Sequence, residues 1–223
     1  MHESSKNFNL IKNQIKEIVL KNKLKTHPEI IAVTKTFPID KFSHLIEDGH
    51  NHFGENKVQE AEIKWPQLKI KYNNIKLHML GKLQTNKAKN SIKIFDYIHS
   101  LDNEKLANKL SKYEKELDRK IKYFIQVNLA DETQKSGIPL NELSSFCKFC
   151  VNEINLNIIG LMCLPPIDDD SSKYFKILKE SSIKLNLNNL SMGMSADYES
   201  AVLNGSTFLR LGTAIFGSRN INL

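Results

Sequence analysis

A lysine that ends a short apolar run near the start of the chain could act as an amine nucleophile. The run EIIAVTK predicts a β-strand ending at Lys35, and Ile31 and Val33 precede this lysine at the two-residue period of a strand. Lys35 therefore shares a face with two apolar side chains. Partial burial there favours the neutral amine, which forms imines with aldehydes. The alternative is a lysine that extends its ammonium group into solvent from a strand end.

An arginine lies inside another apolar run, close to the end of the chain. Alternate residues of the run TFLRLGTAIFG predict one strand face made of Phe208, Arg210, Gly212 and Ala214. A guanidinium that is always charged needs a partner on such a face. The partner is either a carboxylate, for which Glu55 is the candidate, or an acceptor on a bound ligand.

Small and hydroxyl-bearing residues flank this arginine in the segment SMGMSADYESAVLNGSTFLRLGTAIFG. Ser195 stands where a helix is predicted to begin, so its hydroxyl either caps that helix or binds a phosphate at the exposed N–H groups. Gly212 permits close approach of a ligand to the backbone beside Thr213. Together with Lys35 and Arg210, these residues predict a pocket for a phosphorylated aldehyde that carries a ring.

Eight short apolar runs alternate with segments of helical period, and they place these residues at strand ends. The runs end at Lys35, Asn56, Leu83, Asp102, Ala130, Pro166, Met194 and Gly217. Strict alternation predicts parallel strands, because a parallel pair needs a crossover connection. Eight such units predict an α/β fold, the closed (β/α)8 TIM-like barrel. An open doubly wound sheet is the alternative, but no glycine fingerprint for a dinucleotide follows a predicted strand.

A helix is expected to precede this barrel. It is predicted from about Asn7 to Leu24, with an apolar stripe of Phe8, Ile11, Ile15, Ile18 and Val19. Because no Pro/Gly/Ser-rich linker or shift of composition divides the chain, we expect one domain over residues 1–223. Within it, residues 1–28 form the helix and lead-in, and residues 29–217 form the barrel.

The composition indicates an ordinary globular chain. Its 223 residues include 32 Lys and Arg against 25 Asp and Glu, a formal net charge of +7, and 40% are hydrophobic, which excludes disordered and collagen-like classes. No run approaches the roughly 20 apolar residues of a membrane helix, and the start lacks an apolar signal segment. We therefore expect a cytoplasmic protein without a membrane partner. The basic segment around Lys82, Lys87 and Lys89 has no aromatic neighbour, so we expect no nucleic-acid partner.

Three cysteines, Cys147, Cys150 and Cys163, do not suit a disulfide framework and are expected to be reduced. Cys147 and Cys150 form a CxxC motif within a segment that is predicted to be helical. We interpret them as small buried hydrophobic residues rather than as a redox pair or a metal site, since a single CxxC supplies only two ligands. No metal is expected.

The ordered motifs of the chain resemble those of one family. They are AVTKTFP, HFGENKVQEA, HMLGKLQTNKAK, QVNLADETQKSGI, GLMCLPP and SMGMSADYESAVLNGSTFLRLGTAIFG, and they run nearly from end to end. This pattern resembles the pyridoxal phosphate (PLP) homeostasis protein family, whose fold is similar to the N-terminal barrel of bacterial alanine racemases. The resemblance implies PLP as the cofactor. It implies that the residues that bind PLP are Lys35, Asn56, Ser195, Arg210, Gly212 and Thr213.

The resemblance also implies a role for each of these residues. Lys35 would hold PLP as a Schiff base, and Arg210 would face the pyridine nitrogen. Asn56, in the GEN motif, would lie close to the cofactor. The phosphate would be bound by Ser195, Gly212 and Thr213.

An arginine at the ring nitrogen restricts the chemistry. PLP enzymes that stabilise carbanions usually pair this nitrogen with an aspartate that keeps it protonated, whereas Arg210 retains its own proton and weakens the electron sink. In alanine racemase, a second domain and a partner subunit supply the opposing tyrosine, and we expect a chain that ends at Leu223 to lack that group. We therefore expect a non-enzymatic carrier in intracellular PLP homeostasis, with indirect effects on amino-acid and keto-acid metabolism and no catalytic residue.

The alternative is an enzyme, a weak PLP-dependent amino-acid racemase or a related activity. Its acid or base would be Tyr198, His78 or Glu55. As partners we expect PLP and the apo forms of PLP enzymes. The exposed faces show no oligomer seam, so we expect a monomer, with a homodimer through a helix face as the alternative.

Overall fold

Nine β-strands occur in residues 2–130 and 136–218, the two ranges that the computed structural model describes. They are β1 (Glu29–Val33), β2 (His52–Glu55), β3 (Lys76–Met79), β4 (Tyr97–Leu101), β5 (Lys122–Asn128), β6 (Ile138–Pro139), β7 (Ile158–Met162), β8 (Asn189–Ser191) and β9 (Phe208–Leu211). Eight of them form a closed parallel ring in the order β1, β2, β3, β4, β5, β7, β8, β9, and β9 pairs back with β1. The two-residue strand β6 was not predicted and pairs with the end of β5. The predicted (β/α)8 barrel is confirmed.

The barrel strands are short and apolar because both of their faces are covered. β1 reads EIIAV and β5 reads KYFIQVN, and in each strand every residue between the first and the last is buried. Continuous apolar runs are typical of parallel strands that have a packed interior on one side and helices on the other.

Helices cover the outside of this ring. They are α1 (Glu3–Lys21), α2 (Ser43–Glu47), α3 (Val58–Lys71), α4 (Ala88–Ile94), α5 (Glu104–Glu116), α6 (Leu143–Lys148), α7 (Ser171–Lys184), α8 (Tyr198–Leu203) and α9 (Thr213–Phe216). Two of the segments of helical period, residues 103–118 and 171–186, form α5 and α7. Asn103 and Asp170 set where these two begin, because each side chain accepts a backbone N–H of the first turn. Within the described ranges, no helix is both long and apolar enough to cross a membrane.

The N-terminal helix α1 packs against α8 and α9. Ile11, Ile15 and Val19 of the predicted stripe are buried, so the stripe is confirmed, although the helix begins and ends a few residues before its predicted bounds. The side chain of Asn7 also donates to the carbonyl of Ile215 at 3.1 Å. The helix therefore supports the last turn of the barrel from outside.

The last strand is shorter than predicted. A strand was expected up to Gly217, but β9 ends at Leu211, and the four residues from Thr213 to Phe216 form α9. The chain leaves the sheet at Gly212, whose carbonyl accepts the N–H groups of Ile215 and Phe216. The predicted placement of residues 213–217 on strand faces is therefore wrong.

Apolar side chains fill the barrel interior as well as the layer between sheet and helices. The interior group consists of Ile31, Tyr97, Phe124, Met162 and Phe208. Residues that alternate with them, such as Leu209 and Leu211, pack outward beneath the helices. This alternation decides which polar side chains face the interior.

The two cysteines of the CxxC motif are buried, as predicted. Cys147 lies in α6, and Cys150 lies in the π-helical turn Phe149–Glu153 that follows it. Burial raises the pKa of Cys150 to about 12, so its thiol is neutral at pH 7. No group of three or more His, Cys, Asp or Glu side chains in the described part of the chain is arranged to hold a metal ion.

Candidate functional site

Lys35 lies two residues beyond the end of β1, at the carboxyl-terminal opening of the barrel, which we call the mouth. Ile31 belongs to the interior group, whereas Thr34 points outward and donates from Oγ1 to Oε1 of Glu55 at 2.7 Å. Alternation therefore places Lys35 on the interior side, where it is half-buried. This is the position that the sequence predicts for a reactive amine.

Glu55 lies on the outer face of β2. Its carboxylate is fully buried between the sheet and α3, where Oε1 accepts from Trp65 Nε1 at 3.1 Å and from Lys64 Nζ at 3.2 Å. Burial raises the pKa of Glu55, and the nearby Lys64 opposes this shift. The alternative that pairs Glu55 with Arg210 is wrong, because the two side chains lie on opposite faces of the sheet.

The guanidinium of Arg210 is buried in the barrel interior with neutral partners. Arg210 is in register with Ile31 of β1, so it faces inward. Nη1 donates to Ser191 Oγ at 2.7 Å, and Nη2 donates to the carbonyl of Cys163 at 2.9 Å. Among the described residues, no carboxylate forms an ion pair with it, and burial lowers the pKa of Arg210. Its charge is therefore not cancelled by an anion in this part of the chain.

Ser195 binds α9 rather than the helix that follows it in sequence. Its Oγ accepts the N–H of Ala214 at 3.1 Å. The helix α8 instead begins after Asp197, whose Oδ1 accepts the N–H of Met194 at 2.6 Å. The alternative in which Ser195 caps its own helix is wrong, and the observed contact brings Ser195 next to the Gly212–Thr213 segment.

Gly212 has room for a Cβ without a steric clash. A Cβ there would meet Val33 at 3.6 Å, which is an ordinary contact. Its φ of −115° is open to any residue, so neither packing nor backbone geometry requires glycine. Because Val33 lies two residues before Lys35, Gly212 lies beside the end of β1. Thr213 is exposed beside it.

Asn56 follows β2 on the interior side of the mouth. Gly54, two residues earlier, faces the interior, since a Cβ there would come within 2.9 Å of Ile31 Cγ2. Asn56 itself is half-buried. The structure thus places Lys35, Asn56 and Arg210 on the inward-facing side, with the contact between Ser195 and α9 at the end of β9.

The residues considered as an acid or base are not gathered at this mouth. The hydroxyl of Tyr198 donates to Gln14 Oε1 on α1 at 3.0 Å. His78 lies inside the barrel, and its two ring nitrogens are hydrogen-bonded to His52 and His99. The third candidate, Glu55, has its carboxylate on the outer face of β2, away from the mouth.

Several polar residues inside the barrel were not identified from the sequence. Ser191 binds Arg210, and a line of histidines formed by His99, His78 and His52 extends from it. The available signal was the presence of histidine in the second, third and fourth predicted strands, with both His50 and His52 in the second. Periodicity alone did not show that these rings meet, because they come from different strands.

Residues 10–220 match the family model described as "Alanine racemase, N-terminal domain". Two relatives are named pyridoxal phosphate homeostasis protein. The one from Pasteurella multocida is 36% identical over 86% of this chain and 87% of the relative. The one from Haemophilus influenzae is 34% identical over 96% of this chain and 95% of the relative.

Solved structures of PipY from Synechococcus elongatus have the same fold. The structure without PLP has a TM-score of 0.81 and 33% identity, and the match covers 91% of this chain and 100% of PipY. The structure of PipY with PLP bound has a TM-score of 0.78 and 32% identity, again over 91% of this chain and 100% of PipY.

The closed parallel barrel and the match to this family model show that the protein is a barrel of the alanine racemase N-terminal type. The chain belongs to the pyridoxal phosphate homeostasis protein family. The family resemblance found in the sequence motifs is therefore confirmed.

Proposed function

We propose that this chain binds PLP as a Schiff base to Lys35 and acts in PLP homeostasis. It would limit the free aldehyde and deliver the cofactor to apo-enzymes, with indirect effects on amino-acid and keto-acid pools. The names of the relatives and the structure of PipY with PLP bound support this proposal.

The observation that carries the proposal is the placement of an amine, a cation and a hydroxyl around the carboxyl-terminal end of the barrel. Lys35 follows β1, Arg210 lies on the neighbouring strand β9, and Ser195 contacts the helix that follows β9. PLP carries an aldehyde, a ring nitrogen and a phosphate, one group for each of these side chains.

Lys35 supplies the nucleophile in this proposal. The chemistry that PLP supplies when bound is an electrophilic aldehyde carbon, at which one C=N bond forms to Lys35 Nζ and one water leaves. Lys35 is half-buried on the interior side of the mouth, where its Nζ would meet the aldehyde carbon. Asn56, on the same side of the mouth, would orient the group held by the lysine.

Arg210 supplies a donor that never becomes an acceptor. A guanidinium keeps its proton, so the ring nitrogen it faces serves as the acceptor and stays unprotonated. A neutral ring is a poor electron sink for carbanions. This favours a carrier over an enzyme that breaks bonds at an amino-acid α-carbon.

Ser195, Gly212 and Thr213 would hold the phosphate. Ser195 Oγ accepts the N–H of Ala214, so its own proton is available to donate to a phosphate oxygen. Because Gly212 has no side chain, its backbone would allow close approach of the phosphate.

An absorption spectrum with and without borohydride tests the proposal. We expect an imine band with added PLP, reduced by borohydride onto the peptide that contains Lys35. Lys35→Ala should lose the fixed label, whereas Lys82→Ala, which removes an exposed lysine after β3, should keep it. Undiminished label in Lys35→Ala, or a wild-type protein that gains no colour with PLP, would contradict the proposal.

Hydrogen exchange separates the carrier from the racemase. The loaded protein is incubated with L-alanine in heavy water, and deuterium at the α-carbon is measured by mass spectrometry. A carrier gives no more label than one equivalent per protein. Label in large excess over protein would show turnover and favour the enzyme.

Delivery is tested with an apo form of a PLP enzyme in the presence of semicarbazide, which traps free aldehyde. We expect the loaded protein to restore activity under conditions in which an equal amount of free PLP does not. Equal restoration by both sources would indicate release into solution rather than direct transfer.

A further inference from the structure

A continuous line of hydrogen bonds runs through the barrel interior from Arg210 toward the amino-terminal opening. We call Ser191, His99, His78 and His52 the interior relay. Arg210 Nη1 lies 2.7 Å from Ser191 Oγ, which lies 2.8 Å from His99 Nδ1. His99 Nε2 lies 2.9 Å from His78 Nδ1, and His78 Nε2 lies 2.9 Å from His52 Nδ1.

Strand register explains why the three imidazole rings form one line. His78 of β3 pairs with Gly54 of β2, which lies two residues beyond His52. Tyr97 of β4 pairs with His78, and His99 lies two residues beyond Tyr97. Each histidine is therefore one inward position further along the barrel than the one before. The next bond, from β4 to β8, crosses the interior, because β5 and β7 lie between these strands in the ring.

The chemistry of the donors leaves one arrangement of protons. Arginine only donates, so Ser191 Oγ is the acceptor in the bond to Arg210. Ser191 is fully buried, and its hydroxyl proton is satisfied by His99 Nδ1. A neutral His99 then carries its proton on Nε2 and donates to His78, which in turn donates to His52. Every bond of the relay thus donates away from Arg210.

The two central histidines are neutral in this arrangement. Both rings are fully buried, and burial holds the pKa of His78 and that of His99 well below the usual value. The charge of Arg210 lowers the pKa of His99 further. Protonating either ring would place a second cation inside the barrel, and it would remove the acceptor that the bonds require.

Bonds of uniform polarity stabilise a buried cation without cancelling its charge. The acceptor end of each group in the relay points toward the guanidinium. Successive hydrogen bonds in such a chain polarise and strengthen one another in a low-dielectric interior. A carboxylate would instead neutralise the arginine. The relay leaves the positive charge available to an acceptor on a ligand.

Aromatic neighbours fix the planes of the relay rings. His78 stacks on Tyr97 with ring centroids 4.2 Å apart, and His99 stacks on Phe124 at 4.3 Å. A fixed ring plane fixes the direction of its in-plane hydrogen bonds. The orientation of the guanidinium is therefore tied to the packed interior of the barrel.

We propose that the interior relay is a positioning device for Arg210, which keeps the guanidinium charged and holds it toward the ring nitrogen of bound PLP. The inference rests on the proposed function, because it requires PLP at the mouth. Ser191 and His99 act through Arg210, so they are positioning residues and not catalytic ones.

Nitrogen NMR of the histidines tests the relay in the protein without PLP. We expect His99 and His78 both to carry the proton on Nε2 and to remain neutral at the pH at which an exposed histidine is already protonated. A proton on Nδ1 of His99, or a charged imidazolium at either position at neutral pH, would overturn the relay. This result does not depend on whether the protein binds PLP.

Binding of two ligands tests the role of the relay toward the ring nitrogen. One ligand is PLP, and the other is its 1-deaza analogue, in which a C–H replaces that nitrogen. Ser191→Ala and His99→Phe should each raise the Kd for PLP about tenfold, the loss of one charge-assisted hydrogen bond, while the Kd for the analogue stays within about twofold of wild type. Ser191→Thr, which keeps the hydroxyl, should have the wild-type ratio of the Kd for the 1-deaza analogue to the Kd for PLP.

Ser206→Ala is the matched control. Ser206 is as deeply buried as Ser191 but donates to the carbonyl of Met192 at 2.7 Å, outside the relay. We expect Ser206→Ala to change the Kd for PLP and the Kd for the 1-deaza analogue by the same factor. Equal losses of both ligands in the Ser191→Ala and His99→Phe variants would overturn the positioning role. A wild-type protein that binds neither ligand would overturn the proposed function as well, whatever the tautomers of its histidines.

Discussion

The side chain of Arg210 donates to a hydroxyl and to a backbone carbonyl, and both partners are neutral. A buried cation with neutral partners is stabilised by their dipoles and retains a net charge. A ligand acceptor at the mouth therefore gains a charge-assisted hydrogen bond that a neutralised arginine would not offer.

Arg210→Ala should weaken binding of PLP by about 1.5–3 kcal/mol, the usual range for a hydrogen bond to a charged group. Fluorescence titration with PLP measures this change. Arg119→Ala is the control, because the Arg119 guanidinium binds the carbonyl of Phe95 and the carboxylate of Asp96, outside the candidate site. Unchanged affinity in Arg210→Ala would mean that the partner of this arginine is structural and that the pocket lies elsewhere.

Gly212→Ala should weaken binding of PLP about tenfold while it changes the free energy of unfolding by less than about 1 kcal/mol. The added Cβ meets the protein only at ordinary contact distance, but it would obstruct the close approach of the phosphate that we propose at this position. Gly193→Ala is the contrasting variant, since Gly193 has a φ of +93° and its Cβ would lie 2.5 Å from Ala201 Cβ. It should destabilise the fold by about 1–3 kcal/mol. Urea denaturation and PLP titration measure the two effects, and normal PLP affinity in Gly212→Ala would contradict the phosphate assignment.

At the scale of elements, the connection from β8 to α8 is tied to α9 by one side chain. Ser195 accepts the N–H of Ala214, a donor of the first helical turn that has no partner within its own helix. The strand β9, the short helix and the Ser195 loop are therefore held as one unit at the mouth. A loop hydroxyl acts here as the cap of a helix that is distant in sequence.

Ser195→Ala should lower the free energy of unfolding by about 1 kcal/mol, as for other lost helix caps, in addition to weakening PLP binding. Chemical denaturation of the protein without PLP measures the structural part. Ser181→Ala should change stability by less than about 0.5 kcal/mol, because Ser181 Oγ only donates back to the carbonyl of Ile177 within α7. A Ser195→Ala variant as stable as wild type would show that Ala214 finds another acceptor.

The limits of the elements were harder to predict than their existence. The run TFLRLGTAIFG is apolar throughout, and the two-residue period cannot show where pairing stops. The end of β9 at Leu211 depends on two groups outside this run. One is β1, which pairs with β9, and the other is Ser195, which accepts the N–H of Ala214. By contrast, the helix α5 was predicted closely, because Asn103 provides a local cap within the same segment.

At the scale of the whole molecule, folding buries several imidazoles: His78 and His99 lie inside the barrel, and His50 packs against Phe8 of α1. Burial lowers the pKa of His50 to about 4, and it holds the pKa of His78 and of His99 well below the usual range. The unfolded chain takes up protons at these histidines near pH 6.5, whereas the folded chain does so only at lower pH. Acidification below pH 6.5 therefore favours unfolding.

The free energy of unfolding should fall as the pH decreases from about 6.5 to 4, and His50 alone should account for about 3 kcal/mol at pH 4. Urea denaturation at a series of pH values measures this slope. The raised pKa of Glu55 acts in the opposite direction, so the decisive quantity is the difference between variants. His50→Gln should flatten the profile, and the exposed His27→Gln should not. Parallel profiles for wild type and His50→Gln would contradict the assignment.

The sequence by itself determined the alternation of strands and helices, the family and the face of the sheet on which Lys35 and Arg210 lie. These properties are local, since a two-residue or helical period and an ordered motif can be read within a single segment. Only the tertiary structure decided which groups meet. The partners of Arg210 come from β8 and from the residue that follows β7. The partner of Ser195 comes from α9, and the relay histidines come from three different strands. Closing the sheet into a ring is what brings these segments together, because it turns the alternate residues of every strand toward one shared interior.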